Sequence, residues 1–174
     1  ARAGEGGTGA AKCGGNYAAS MIAQTEGEKH GCKQVIFKDP HRGDAIEELG
    51  GMNVFFIFGK ENKIVTPELT GTILEGVTRS SLIQLAKDRG MTVEERAITL
   101  TEWREGVANG DITEIFACGT AAVVAPIGKL KAEDFEIPAP TEHFGEISKS
   151  LREELVGIQL GTVEDRHGWM TRLI

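Results

Sequence analysis

Lys12 stands ahead of a glycine pair and five residues before a tyrosine, in the run Ala11-Lys12-Cys13-Gly14-Gly15-Asn16-Tyr17. An amine in this setting suits the grip on a flat aromatic cofactor. Glycine has no Cβ, so backbone can lie close to a planar ring, and a nearby phenol can donate a hydrogen bond to it. On these residues alone the competing reading is a solvated surface lysine, the usual state of that side chain.

Four more segments follow in order: Ile46-Glu47-Glu48-Leu49-Gly50-Gly51-Met52-Asn53, Gly71-Thr72-Ile73-Leu74-Glu75-Gly76-Val77-Thr78-Arg79, Ala117-Cys118-Gly119-Thr120-Ala121-Ala122 and His167-Gly168-Trp169-Met170. Together with the lysine segment, the series resembles the C-terminal large domain of branched-chain amino-acid aminotransferases, class IV (fold type IV) pyridoxal-phosphate enzymes. The likeness runs along nearly the whole chain. It implies an α/β fold of mixed β-sheets in a pseudo-barrel flanked by helices, with residues 1–174 as the cofactor-binding domain. An N-terminal small domain would then lie outside this chain. In the family that half gives an arginine to the cofactor phosphate and aromatic and arginine side chains to the substrate pocket. The resemblance also implies a homodimer with active sites near the subunit interface.

Pyridoxal 5′-phosphate needs four things from a protein, and the resemblance gives each a candidate. Lys12 is the amine that forms the Schiff base and, once released by substrate, the general acid and base. Tyr17 is set against the phenolate oxygen of the ring; its other reading is a core aromatic on a helix. Glu48 is the carboxylate beside the pyridine nitrogen. Strand alternation sends Glu47 and Glu48 to opposite sides, so Glu47 is expected to face away. Without the motif the two would read as a solvated acidic pair.

The third need is a phosphate cup. Gly76, Val77 and Thr78 lie directly before a helical pattern, where free N–H groups and the helix dipole favour an anion, and Thr78 is expected to cap that helix. By resemblance Leu74 packs on the ring, and Gly119 and Thr120 bring further donors to the phosphate. The plain alternatives are an N-cap and a turn after a strand. The fourth need, a grip on the substrate carboxylate, falls in the family to the backbone amides at Thr120 and Ala121. Small residues at Ala121 and Ala122 leave room for a branched aliphatic side chain.

Three functions fit these residues. The first is transfer of the amino group of leucine, isoleucine or valine to 2-oxoglutarate. The second is another class IV reaction, that of a D-amino-acid aminotransferase or an aminodeoxychorismate lyase, which use the same lysine and glutamate. The Glu-Leu-Gly-Gly-Met-Asn and Cys-Gly-Thr-Ala-Ala segments look closer to the branched-chain group. The third is a non-catalytic fragment that serves folding or association.

The elements that would position these residues alternate between helical and strand periodicity, as one α/β unit without internal repeat. A helix is expected over 16–30, burying Tyr17, Met21 and Ile22 and closed by Gly31. Strands are expected over 34–38, from the Asp39–Asp44 turn through Glu48, and over 53–58, 63–66, 91–98 and 112–118. Leu82, Ile83, Leu85 and Ala86 mark the clearest helix, over 78–89. A short helix is expected over 101–108 and an amphipathic one over 142–160.

Composition fits a cytoplasmic globular domain, with 40% hydrophobic and 26% charged residues. The net charge of -7 argues against a nucleic-acid or anionic-membrane surface. The longest apolar stretch, 115–127, is broken by Gly119, Thr120 and Pro126 and is too short to span a bilayer. Cys13, Cys32 and Cys118 have no metal-like spacing and read as reduced thiols. Some members of the resembled family carry a redox Cys-x-x-Cys after the Gly-Thr-Ala turn; Ala122 and Ala125 stand there in this chain. No metal site is expected, and His167 and Trp169 are expected in the core or an interface.

Overall fold

The computed structural model describes residues 2–141 and 143–173. In chain order the elements are α1 (Gly14–Lys29), β1 (Ile36–Lys38), β2 (Ile46–Leu49), β3 (Asn53–Phe58), β4 (Lys63–Thr66), α2 (Val77–Asp88), β5 (Thr92–Glu95), α3 (Leu100–Ala108), β6 (Ile112–Gly119), β7 (Val123–Pro126), β8 (Lys129–Lys131), β9 (Glu136–Pro138) and α4 (Glu146–Gln159). A five-stranded sheet has the order β5-β4-β3-β6-β7, and β1-β2 and β8-β9 form two-stranded ribbons. The sheet is mixed, because β4 and β5 run parallel while the other neighbours are antiparallel. The α/β class expected from the sequence is therefore present.

The run Asn-Val-Phe-Phe-Ile-Phe of β3 lacks polar alternation because both of its faces are covered. Phe55 and Ile57 meet Leu82, Leu85 and Ala86 of α2 and Leu151, Leu155 and Ile158 of α4. Val54, Phe56 and Phe58 meet Ile46, Leu49, Ile98 and Trp103 on the other side. The Phe55 and Phe116 rings stack across β3 and β6 with centroids 5.2 Å apart, and Trp103 meets Phe56 edge-on at 5.1 Å. The apolar stretch at 115–127 resolves into the hairpin of β6 and β7.

Several expectations need correction. Met21 and Ile22 of α1 are 67% and 79% exposed rather than buried, and Tyr17 is half-buried. The inward stripe of the helix is instead Asn16, Ser20, Gln24 and Gly27. Asn16 Nδ2 donates to the Thr8 and Ala11 carbonyls, Gln24 donates to the Lys33 carbonyl, and a Cβ on Gly27 would lie 2.9 Å from Val35. Polar anchoring fixes the rotation of the helix, so the apolar spacing misleads. Gly31 does close it, with φ of 77° and its N–H on the Glu28 carbonyl.

The strand expected over 91–98 holds only over Thr92–Glu95. Met91 turns into the core, and Ile98 pairs with the Ile46 N–H instead of continuing the strand. The terminal helix begins at Glu146, while Glu142, the residue expected to start it, lies outside the described residues.

Where α4 begins, Glu114 of β6 supplies the cap that the N-cap residue, Gly145, lacks. The buried carboxylate accepts from the Ile147 N–H at 2.9 Å and the Ser148 N–H at 2.8 Å. This satisfies two first-turn donors and places an anion at the positive end of the helix. Glu114→Ala is expected to lower the unfolding free energy by about 2 kcal/mol, read from urea denaturation. A change within experimental error would show that α4 does not depend on this cap.

Candidate functional site

The lysine loop is shaped by residues that carry no chemistry themselves. Asn16, buried at the first turn of α1, holds the Thr8 and Ala11 carbonyls and accepts from the Thr8 hydroxyl. A Cβ on Gly9 would lie 2.4 Å from the Cα of Thr72, so this loop rests directly on the segment that leads to Leu74. Lys12 is exposed, and its side chain makes no hydrogen bond or ion pair among the described residues.

Glu48 and Glu47 are both buried on β2. Neither is solvated, so the acidic-pair alternative does not hold: the Thr72 hydroxyl donates to Glu47 Oε1, and Glu47 Oε2 is buried without a partner among the described residues. Glu48 Oε1 accepts from Arg2 Nε at 2.5 Å and from the Leu74 N–H at 3.4 Å. Both bonds fall on one oxygen, which leaves Oε2 to accept from a ligand. Burial pushes the Glu48 carboxyl up to about 7, against the pull of the Arg2 guanidinium and the Leu74 N–H. Desolvation wins over the ion pair because both side chains are almost wholly out of water.

The raised value has a sign in stability. The folded state holds the Glu48 proton more tightly than the unfolded chain. Its contribution is therefore full below pH 4.5, declines as the pH rises toward about 7, and is absent above that. The loss is on the order of 3 kcal/mol. Urea unfolding across this range should show a downward slope in the native protein that is absent from Glu48→Gln. Parallel profiles would place the titration elsewhere.

Leu74 continues into the anion-binding candidate. Asn53 Nδ2 donates to the Leu74 carbonyl at 2.8 Å and so pins the loop to the start of β3. Gly76 follows with φ of 71°, and a Cβ there would lie 2.3 Å from Asn53 Oδ1, so no other residue fits without displacing this contact. Gly76 is itself the cap of α2, with no side-chain cap bond. Thr78 is thus inside the first turn of the helix rather than its expected cap. The first-turn N–H groups have no intrahelical acceptors, and Val77, 83% exposed, leaves them open to a ligand.

Gly119 ends β6 opposite Val123, with Thr120, Ala121 and Ala122 forming the turn. A Cβ on Gly119 would meet Met52 at 3.2 Å, so this turn sits beside the one that joins β2 to β3. Val123 takes φ of 57°, an unfavourable conformation for a β-branched residue. Glu48, the Leu74–Thr78 segment and the 119–123 turn thus gather at one end of the central sheet. The 167–170 segment does not join them. His167 bonds to Asp88 at 2.6 Å and stacks on Trp169 at the surface by the end of α2.

A family model for amino-transferase class IV matches residues 8–130. The chain belongs to the class IV aminotransferases. Within that family it is 52% identical, over 99% of its length, to a branched-chain-amino-acid aminotransferase of Mycolicibacterium smegmatis, of which it covers 47%. It is 50% identical to a probable branched-chain-amino-acid aminotransferase of Streptomyces coelicolor, again over 99% of its length and 47% of the relative's. The chain spans about half the length of these curated relatives. Among solved structures, the Escherichia coli branched-chain amino acid aminotransferase superposes with a TM-score of 0.77. It is 30% identical, over 94% of this chain and 51% of that one. The enzyme of the same name from Thermobaculum terrenum, in its PLP-bound form, gives 0.75 at 30% identity, covering 94% and 49%.

Sequence reasoning passed over Arg2, and it gave Asn16, Asn53 and Thr72 places in motifs but no role. Polar residues that act by holding backbone leave no periodicity to read. The nearest signal was the placing of Asn16 directly after one glycine pair and of Asn53 one residue after another. Among the described residues, no cluster of His, Cys, Asp and Glu could hold a metal, and no helix is long and apolar enough to cross a membrane. Cys13, Cys32 and Cys118 are free thiols, and burial pushes Cys118 up to about 12, out of reach of ionisation.

Proposed function

We propose that this chain is the cofactor-binding large domain of a branched-chain amino-acid aminotransferase, which moves the amino group of leucine, isoleucine or valine to 2-oxoglutarate. The observation that carries this reading is the meeting of Glu48, with a free carboxylate oxygen, and the open first turn of α2 on either side of Leu74. That donor and acceptor set fits pyridoxal 5′-phosphate: an acceptor for a ring N–H at one end and donors for a phosphate at the other. The identity to relatives named for branched-chain substrates supports the substrate class.

When bound, the cofactor supplies the sink for the electrons left at the substrate Cα as its proton departs. Glu48 Oε2 would hold the ring nitrogen protonated. The Lys12 amine would tether the cofactor and then carry the Cα proton. Tyr17 would donate to the phenolate oxygen, and Leu74 would pack on the ring. The amides at Gly76, Val77, Thr78, Gly119 and Thr120 would take the phosphate, and those at Thr120 and Ala121 the substrate carboxylate. The full protein would be a cytoplasmic homodimer. The exposed Met21 and Ile22 are surface that the remaining half or a second subunit would cover.

The test is a side-by-side assay of the full-length protein and the 174-residue chain, with leucine and 2-oxoglutarate at saturating pyridoxal phosphate. The full-length protein should turn over leucine, isoleucine and valine, and the shorter chain little or nothing, because contacts from the other half position the reacting groups. Equal turnover by the two would refute the incomplete-site reading. Preference of the full-length protein for D-amino acids would refute the substrate class.

A further inference from the structure

We propose that Arg2 is a positioning residue: its guanidinium fixes the Glu48 carboxylate and ties the loop before Lys12 to the segment before Leu74, so that one buried side chain sets acid, amine and ring-packing residue relative to one another. The proposal rests on the roles given above to Glu48 and Lys12. Three of its anchors come from three separate parts of the chain. Arg2 Nε donates to Glu48 Oε1 at 2.5 Å, and Nη2 donates to the Gly9 carbonyl at 2.9 Å and the Thr72 carbonyl at 3.1 Å. A fourth contact places the guanidinium carbon 5.4 Å from the centre of the Tyr17 ring.

The surroundings favour geometry over stability as the purpose of this pair. The Arg2 and Glu48 side chains are only 1% and 4% exposed. Buried ion pairs are a weak source of stability, because removing both charges from water offsets most of their attraction. Arg2 also leaves Nη1 buried and without a partner among the described residues. What the arginine provides that an apolar side chain of its size would not is a planar fork, with Nε on a carboxylate and Nη2 on two carbonyls. It also supplies the cation that favours the ionised acid. The charged neighbours of Glu48 are Arg2, which draws its proton off, and Glu47 on the same strand, which opposes that; Tyr17 stands across the guanidinium.

The experiment uses the full-length protein with Arg2→Met, which keeps the bulk and removes the charge, and Arg2→Lys, which keeps the charge and removes the fork. One readout is the affinity for pyridoxal phosphate, titrated by visible absorbance. The other, on cofactor-free protein, is the titration of the Glu48 carboxyl carbon by NMR, assigned by its loss in Glu48→Gln. Arg2→Met should weaken cofactor binding by about tenfold to a hundredfold and move the Glu48 midpoint above its native position. Arg2→Lys should restore the midpoint but only part of the affinity.

An Arg2→Met protein with affinity within about twofold of native and an unmoved midpoint overturns the proposal. So do methionine and lysine variants impaired alike in both readouts, since that result reports packing alone. Should the methionine variant fail to fold, the lysine variant decides. A native midpoint with weakened binding supports the proposal, and any other pairing overturns it. Failure of the unaltered protein to bind pyridoxal phosphate sinks the functional reading instead, and the Glu48 titration then still judges Arg2.

Discussion

Lys12→Ala in the full-length protein is expected to lower transamination by at least about 10³-fold while leaving the urea midpoint where it was. The two halves of this expectation have separate grounds. The Lys12 side chain is exposed and makes no hydrogen bond or ion pair among the described residues, so its loss removes nothing that the fold uses. The loop that carries it is held by Asn16 and Gly9, which stay in place. Borohydride reduction of the unaltered protein with pyridoxal phosphate, followed by peptide mapping, should put the label on Lys12. A label on Lys29, Lys33 or Lys87 with Lys12 clean would overturn the assignment.

Gly76→Val should strike the fold and the phosphate candidate together, at a cost of about 3–5 kcal/mol in unfolding free energy. The backbone there has φ of 71°, a region that a β-branched residue adopts only under strain. The new Cβ would also displace Asn53 Oδ1, and with it the bond from Asn53 Nδ2 that holds the Leu74 carbonyl. Urea denaturation measures the first effect and pyridoxal-phosphate titration the second. A loss below about 1 kcal/mol would mean that the loop can re-form without this contact.

Elements with strong apolar periodicity were legible in the sequence. The helix marked by Leu82, Ile83, Leu85 and Ala86 and the buried strand Asn53–Phe58 stand where expected, because hydrophobic burial on the sheet decides them. Misplaced features are those decided by single polar bonds. The face of α1 is set by Asn16 and Gln24, and the start of α2 by the fit of Gly76 against Asn53. The start of α4 is set by a carboxylate far upstream in the chain, Glu114. For the site, motif order led to Glu48, Leu74 and the 119–123 turn, which the structure brings to one end of the sheet. It could not lead to Arg2, an isolated basic residue whose burial depends on two distant partners, Glu48 and Thr72, as well as the nearby Gly9.

The pairing of β3 with β6 sets Asn53 opposite Cys118 and Phe56 opposite Ile115. The two strands at the centre of the sheet are thus contributed by widely separated parts of the chain. During synthesis β3 and β4 can close a local hairpin early, but its other edge stays open until residues beyond 112 leave the ribosome. The entropy of closing that long loop must be met before any of the central contacts form, which makes folding slow relative to a helical domain of this size. Through that interval the Val-Phe-Phe-Ile-Phe edge is unpaired and apolar, the kind of segment that joins with copies of itself. The pairing of β3 with β6 is therefore the one that separates productive folding from aggregation in this chain.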